Sequence, residues 1–239
     1  MPVAAAQETD VVRLPSFLTE EELAAVDAAG AMAAGDPEIG REFRSHGSKA
    51  WEVLFLQSKA FFPDRLAAIR AKIIATAKGV DGDTWGLIGD GPCTVRVAEY
   101  HTQTAPSGGL PDPHHYDQGS LVTIDVMLTQ QGTEFEGGTF RTLNPDGTTL
   151  RAWEASRGDA LVFVSHKPHC VQPVTAGQRR VLVVELWRGE ERQCGHRCEA
   201  MTVCRRDPSF REAALRPAAA PAAGEVGSLR PLPFRIASV

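Results

Sequence analysis

Two periodicities divide the chain. Up to about residue 78 the apolar positions recur at helical spacing, and from residue 93 they alternate. Thr19-Glu20-Glu21-Glu22 is a capping box, in which the Thr19 hydroxyl accepts from the third amide and Glu22 reaches back. It predicts a helix over about 20–34, with Leu23, Val26, Ala29 and Ala33 near one face and Gly35-Asp36 at its end. Gly30 stands inside this helix, where glycine costs about 1 kcal/mol relative to alanine. A second helix starts near Pro63, a residue suited to a first turn, and carries Leu66, Ile69, Ile73 and Ala77 on a packing face. Residues 1–10 read as a frayed tail, 35–49 as a polar loop, and 79–91 as turns anchored by Trp85 and Leu87.

Short apolar runs at 11–14 and 51–56 predict strands among the helices. After residue 93 the alternating segments are 94–100, 121–128, 136–140, 148–154, 160–164, 169–174 and 180–187, with a loop over 101–112. In 121–128, Val122, Ile124, Val126 and Leu128 share one face and Asp125 points the other way, toward solvent or an ion pair. Seven or eight short strands preceded by two helices predict a mainly β fold with supporting α. The expected architecture is a closed or double-sheet structure with helices covering one sheet. The expected organisation is a flexible tail over 1–10, one domain over 11–207, and an Ala/Pro-rich tail over 208–239.

Composition changes this picture little. A length of 239 residues suffices for one large core. A net charge of -5 without a Lys/Arg block argues against a nucleic-acid partner. The chain has no apolar run of the roughly 20 residues needed to span a membrane. It also lacks a basic start followed by an apolar stretch, so the expected location is cytoplasmic. Five cysteines do not form a disulfide framework in a chain this large. Three of them, Cys194, Cys198 and Cys204, cluster with His196. Sulfur and imidazole suit zinc; a disulfide and reduced thiols are the other readings of this cluster.

The chemistry concentrates between residues 113 and 188. In an extended segment His115 and Asp117 face the same side and can converge on one ion. His169 stands 52 residues beyond Asp117. Two imidazoles and one carboxylate form the facial triad of non-haem Fe(II) enzymes. Arg179 follows His169 by ten residues, across a turn over 173–177. If the flanking strands pair as a hairpin, Arg179 returns beside His169, where its guanidinium can grip a carboxylate with two parallel bonds.

These residues lie in strings that resemble the Fe(II)/2-oxoglutarate-dependent dioxygenase superfamily, and within it the prolyl-4-hydroxylase-like group. The strings are His115-Tyr116-Asp117, Glu136-Gly137-Gly138-Thr139-Phe140, Gly158-Asp159-Ala160-Leu161-Val162-Phe163, and His169-Cys170-Val171-Gln172-Pro173-Val174 with Gly177-Gln178-Arg179. The resemblance covers most of residues 10–188. It implies a distorted double-stranded β-helix (jelly roll) with N-terminal helices packed on the major sheet.

It further implies that His115, Asp117 and His169 ligate Fe(II) and that Arg179 pairs with the distal carboxylate of 2-oxoglutarate. Tyr100 would line the cosubstrate pocket. Many relatives carry a further tyrosine near position 125 or 126; Asp125 and Val126 stand there, and Thr123 is the substitute contact. The implied reaction hydroxylates an unactivated C–H bond, with succinate and carbon dioxide as coproducts and ascorbate as a reductant. The implied substrate is a prolyl residue in a peptide or protein. A free amino acid or other small molecule is the alternative, with Arg96, Arg141, Arg151 or Arg180 holding its carboxylate. A non-catalytic jelly-roll binding module is the reading from a different class.

Overall fold

A computed structural model describes residues 1–45, 48–199, 204 and 206. The chain divides into the units Met1–Thr202 and Val203–Val239. The expectations for 208–239 lie outside the described residues.

Met1–Thr202 opens with α1 (Val3–Gln7), β1 (Val12–Leu14) and α2 (Glu20–Gly35), then β2 (Gly40–Ser45) and β3 (Ser48–Phe55). Two further helices follow, α3 (Phe61–Arg65) and α4 (Ala67–Thr84). The remaining strands are β4 (Cys93–Thr104), β5 (Leu110–His115), β6 (Val122–Met127), β7 (Phe135–Gly137), β8 (Phe140–Leu143), β9 (Leu150–Trp153), β10 (Ala160–Val164), β11 (His169–Val171) and β12 (Val174–Arg188). The major sheet runs β1-β10-β6-β12-β4-β3-β2, with β7 also paired to β12. The minor sheet runs β5-β11-β8-β9. This is the expected double-stranded β-helix. Among the described residues, no helix is long and apolar enough to cross a membrane.

Alternation along the major strands separates two environments. Leu54, Ala98, Tyr100, Ile124, Val126, Val162, Leu182 and Val184 pack with Leu23, Val26, Ala29 and Ala33 of α2 and Ile69, Ile73 and Ala77 of α4. Each large aliphatic buried there contributes about 1.5–3 kcal/mol. The intervening residues face the minor sheet. Leu161 and Phe163 meet Phe140 and Val171 in one cluster, while Met127 and Val181 join Phe135 and Val174 in another.

The capping box forms as expected, with Glu22 N donating to Thr19 Oγ1 at 3.2 Å and Thr19 N donating to Glu22 Oε2 at 2.8 Å. Gly30 has a packing role: a Cβ there would stand 2.6 Å from the Tyr100 ring. The helix thus forgoes a side chain so that it can lie on the sheet.

Several boundaries differ from the sequence reading. Within the expected loop over 35–49, residues 40–45 form a strand, paired with the expected strand near 51–56, which runs over 48–55. The polar sequence of β2 suits its place at the sheet edge, where charge deters further pairing. Pro63 sits in α3, which breaks from α4 at the non-helical Leu66 (φ −127°, ψ 37°). The helix α4 then continues through Gly79 and Gly82 to Thr84. Buried Asp81 closes the following turn, accepting from Leu87 N and Ile88 N at 2.8 Å each. Most of 101–112 is strand, at the end of β4 and in β5. Within residues 1–10, α1 buries Ala6, and Lys167 Nζ donates to the Gln7 carbonyl at 2.8 Å.

Candidate active site

His115 ends β5, and Asp117 lies just beyond it. His169 begins β11, the strand that pairs with β5, and the two histidines are register partners. Their rings lie 5.1 Å apart, nearly perpendicular at 88°. His115 Nε2 stands 3.4 Å from Asp117 Oδ1, and His169 Nε2 stands 4.0 Å from it. One donor atom from each residue falls within 4.8 Å of the others. Two imidazole nitrogens and a carboxylate oxygen at this separation suit a borderline first-row divalent metal.

The surrounding groups fix these donors. His169 Nδ1 lies 2.9 Å from the Lys167 carbonyl. A carbonyl can only accept, so Nδ1 carries the proton and Nε2 presents its lone pair to the site. The Phe140 and Phe163 rings pack against the His169 ring. Thr123 Oγ1 donates to Asp117 Oδ2 at 2.7 Å and also lies 2.9 Å from Ser165 Oγ. Asp117 N donates to the Ser165 carbonyl at 2.8 Å. Burial works to raise the Asp117 carboxyl, but His169, His115 and Arg197 overcome it and hold the group well below the usual carboxylate range. Burial keeps His169 below its ordinary value, against the attraction of Asp117.

The triad opens into a cavity of about 400 Å³ between the sheets. Arg179 reaches it from β12 and is 3% exposed. Its Nη1 donates to Gln103 Oε1 at 2.7 Å, its Nη2 lies 3.6 Å from Met127 Sδ, and its Nε has no partner. Burial lowers the guanidinium to about 10, against the attraction of Asp125. The expected hairpin between the His169 and Arg179 strands does not form. His169 lies in the minor sheet and Arg179 in the major one: residues 174–177 are the start of β12 rather than a turn, and the chain passes from one sheet to the other at Gln172-Pro173.

Two expected cosubstrate contacts are corrected. Tyr100 is in the helix-side core and not in the cavity. Its hydroxyl donates to Asp27 Oδ1 at 2.9 Å and accepts from Arg180 Nη1 at 3.3 Å. A slip in the β12–β4 ladder explains the error. Glu185 pairs with Val97 but Leu186 pairs with Val95, so the alternation changes phase at Arg96. Beyond the bulge Glu99, His101 and Gln103 face the cavity. Thr123 is on the inner face but fully buried, and holds Asp117 in place. Asp125, expected to be solvated or ion-paired, is 7% exposed, lines the cavity, and leaves Oδ1 without a partner. Burial and the nearby Asp117 push its carboxyl up to about 7, against Arg179. His114 is exposed outside the site, and none of Arg96, Arg141, Arg151 and Arg180 lines the cavity.

The sequence reading also missed part of the wall. Arg44 Nη2 lies 3.2 Å from Glu99 Oε1, and His101 Nε2 lies 2.6 Å from Glu99 Oε2. Burial opposes the Glu99 charge, yet Arg44 and His101 hold its carboxyl at about 2. Arg197 pairs with fully buried Glu185. Trp51 supplies an aromatic wall. The alternation of polar residues at 99, 101 and 103 with Ala98, Tyr100 and Thr102 was the available signal for an inward polar face.

Residues 99–187, from β4 to β12, match the family model described as the 2OG-Fe(II) oxygenase superfamily. A search of curated proteins returns no match. Among solved structures, a 2OG-Fe(II) oxygenase family oxidoreductase from Burkholderia pseudomallei is 19% identical. Its TM-score is 0.58, with 80% of this chain and 92% of that chain covered. A Pseudomonas putida prolyl-4-hydroxylase is 18% identical with TM-score 0.52, covering 79% of this chain and 100% of that one. The epimerase SnoN, in complex with Fe3+, alpha ketoglutarate and nogalamycin RO, is 15% identical with TM-score 0.57, covering 78% and 82%. At these identities the structural likeness establishes the fold. The family match, over residues 99–187, spans the strands that carry the triad.

Proposed function

We propose that the protein is a 2-oxoglutarate-dependent hydroxylase in which His115, Asp117 and His169 hold Fe(II) and Arg179 binds the distal carboxylate of 2-oxoglutarate. The observation that carries this reading is the convergence of the three donors and Arg179 on one cavity. Bound iron supplies oxygen activation: 2-oxoglutarate and dioxygen go to succinate and carbon dioxide, and one oxygen atom enters a substrate C–H bond.

The chain's own groups bind, orient and exclude water. Three arginines line the cavity. Arg44 and Arg197 are ion-paired to Glu99 and Glu185, whereas Arg179 makes no ion pair among the described residues. Arg179 is therefore the cation with capacity for an incoming acid. Thr123 holds the second oxygen of Asp117, leaving Oδ1 toward the histidines. Phe140 and Phe163 keep water from the back of His169.

The substrate we favour is a prolyl residue within a peptide. A cavity of about 400 Å³ that also takes 2-oxoglutarate has room for one side chain, which leaves the rest of a larger substrate outside. With Arg44 and Arg197 already paired, the wall favours an uncharged group, and Trp51 offers a flat apolar face to a pyrrolidine ring. The fold likeness to the Pseudomonas putida prolyl-4-hydroxylase is consistent with this choice. The test is incubation with Fe(II), 2-oxoglutarate and a panel of proline-containing peptides and free amino acids, read by mass spectrometry for a gain of one oxygen atom. A peptide product supports the proposal. Products from free amino acids alone overturn the substrate, and absence of succinate under all conditions overturns the enzyme reading.

A further inference from the structure

After β12 the chain runs from Gly189 to Glu199 without helix or strand, yet it is held at many points. Arg70 makes a forked pair with Glu191, with contacts of 2.9 and 3.0 Å from Nη2. Lys59 N donates to the Gln193 carbonyl at 3.3 Å, and Gln57 Nε2 donates to the His196 carbonyl at 3.2 Å. The backbone at Gly195 lies so close to Gly40 that a Cβ on Gly40 would be 1.9 Å from the Gly195 carbonyl oxygen. Cys194 and Cys198 are 5% and 2% exposed.

The donors of Cys194, His196 and Cys198 all lie within 4.8 Å of one another. Ligands of a tetrahedral zinc, at about 2.0–2.3 Å from the metal, stand roughly 3.3–3.8 Å apart, so modest side-chain adjustment closes the site. Thiolate and imidazole together select zinc over the harder metals that a carboxylate-containing set accepts. A buried cation stands beside the sulfurs. Arg96 is 2% exposed, lies 4.4 Å over the Trp187 ring, and donates to the Cys198 carbonyl at 3.3 Å. Its charge offsets the thiolates that zinc requires.

We propose that Cys194, His196 and Cys198 hold a structural zinc ion, separate from the iron triad. Between two of these ligands stands Arg197, which donates to the Gln118 carbonyl at 3.2 Å, pairs with Glu185, and lies 3.9 Å from Asp117 Oδ1. The zinc knot therefore anchors the segment that delivers Arg197 to the wall of the active-site cavity.

The test is metal analysis of the full-length protein purified without chelator. It is run on wild type, His169→Ala, Cys194→Ser and Cys198→Ser, with thiols counted after denaturation. One zinc that survives His169→Ala, is lost in both cysteine variants, and accompanies five thiols is the expected result. Zinc retained in Cys198→Ser, or zinc lost in His169→Ala, would place the metal at the triad and overturn the proposal. Fewer than five thiols without zinc would make the cluster a disulfide. If the cysteine variants do not fold, Co(II) loaded into His169→Ala decides. Intense visible d–d bands of a tetrahedral thiolate site are expected, and weak octahedral bands alone would overturn it.

Discussion

His115 and His169 face each other directly across the β5–β11 ladder, with ring centroids 5.1 Å apart. This pairing makes the two imidazoles a property of one sheet, while the group that holds Asp117 comes from the other. Thr123, on β6 of the major sheet, donates to Asp117 Oδ2 at 2.7 Å. Thr123→Val keeps the shape and removes that donor. Supporting groups of this kind are worth about 10–100-fold in metal affinity or activity. The expected outcome is a loss of that size in Fe(II) affinity, measured by titration, with far-UV circular dichroism unchanged and Thr123→Ser near wild type.

Arg179 is buried and bonded to Gln103, so its guanidinium is held in one orientation. Lysine retains the charge but not the fork. Arg179→Lys is expected to raise the KM for 2-oxoglutarate by roughly tenfold or more, and Arg179→Met by more again. Steady-state succinate formation measures both. An unchanged KM in Arg179→Met would remove Arg179 from the cosubstrate site.

Gly30 lies against the Tyr100 ring. Helix propensity alone favours Gly30→Ala by about 1 kcal/mol, but the added methyl meets the ring. Destabilisation is the expected sign, on the order of 1–3 kcal/mol for overpacking, measured by urea unfolding. Tyr100→Phe is expected to leave the KM for 2-oxoglutarate unchanged, because the hydroxyl serves Asp27 and Arg180 on the helix side.

Asp125 gives a pH dependence whose sign follows from proton counting. Burial and Asp117 raise its folded value to about 7 from an ordinary 3.8. The folded state therefore binds more protons between those values, and the stability contributed by the neutral acid is lost as pH rises through that window. Asp125→Asn is expected to flatten the profile in metal-free protein. The variant should match wild type near pH 4 and exceed it above pH 7, by on the order of a few kcal/mol at most. Denaturant unfolding at several pH values checks this.

The sequence by itself determined the elements whose signals are local. The capping box at Thr19–Glu22 depends on four consecutive residues, and the apolar series of β6 depends only on alternation. The convergence of His115, Asp117 and His169 on the cavity that Arg179 also lines was legible through the family-like strings around them, since a lone His-x-Asp is common by chance. The tertiary structure decided which sheet each strand joins and which way each inner face points. Strands β11 and β12 are close in sequence but belong to different sheets, because the chain crosses over at Pro173 rather than turning back. One bulge at Arg96 reversed the side on which Tyr100 stands and turned Glu99, His101 and Gln103 inward. A one-residue slip exchanges the two faces of a strand, and nothing local in the alternation of β4 marks where it occurs. Asp125 likewise reads as an outward polar residue until a second sheet covers it.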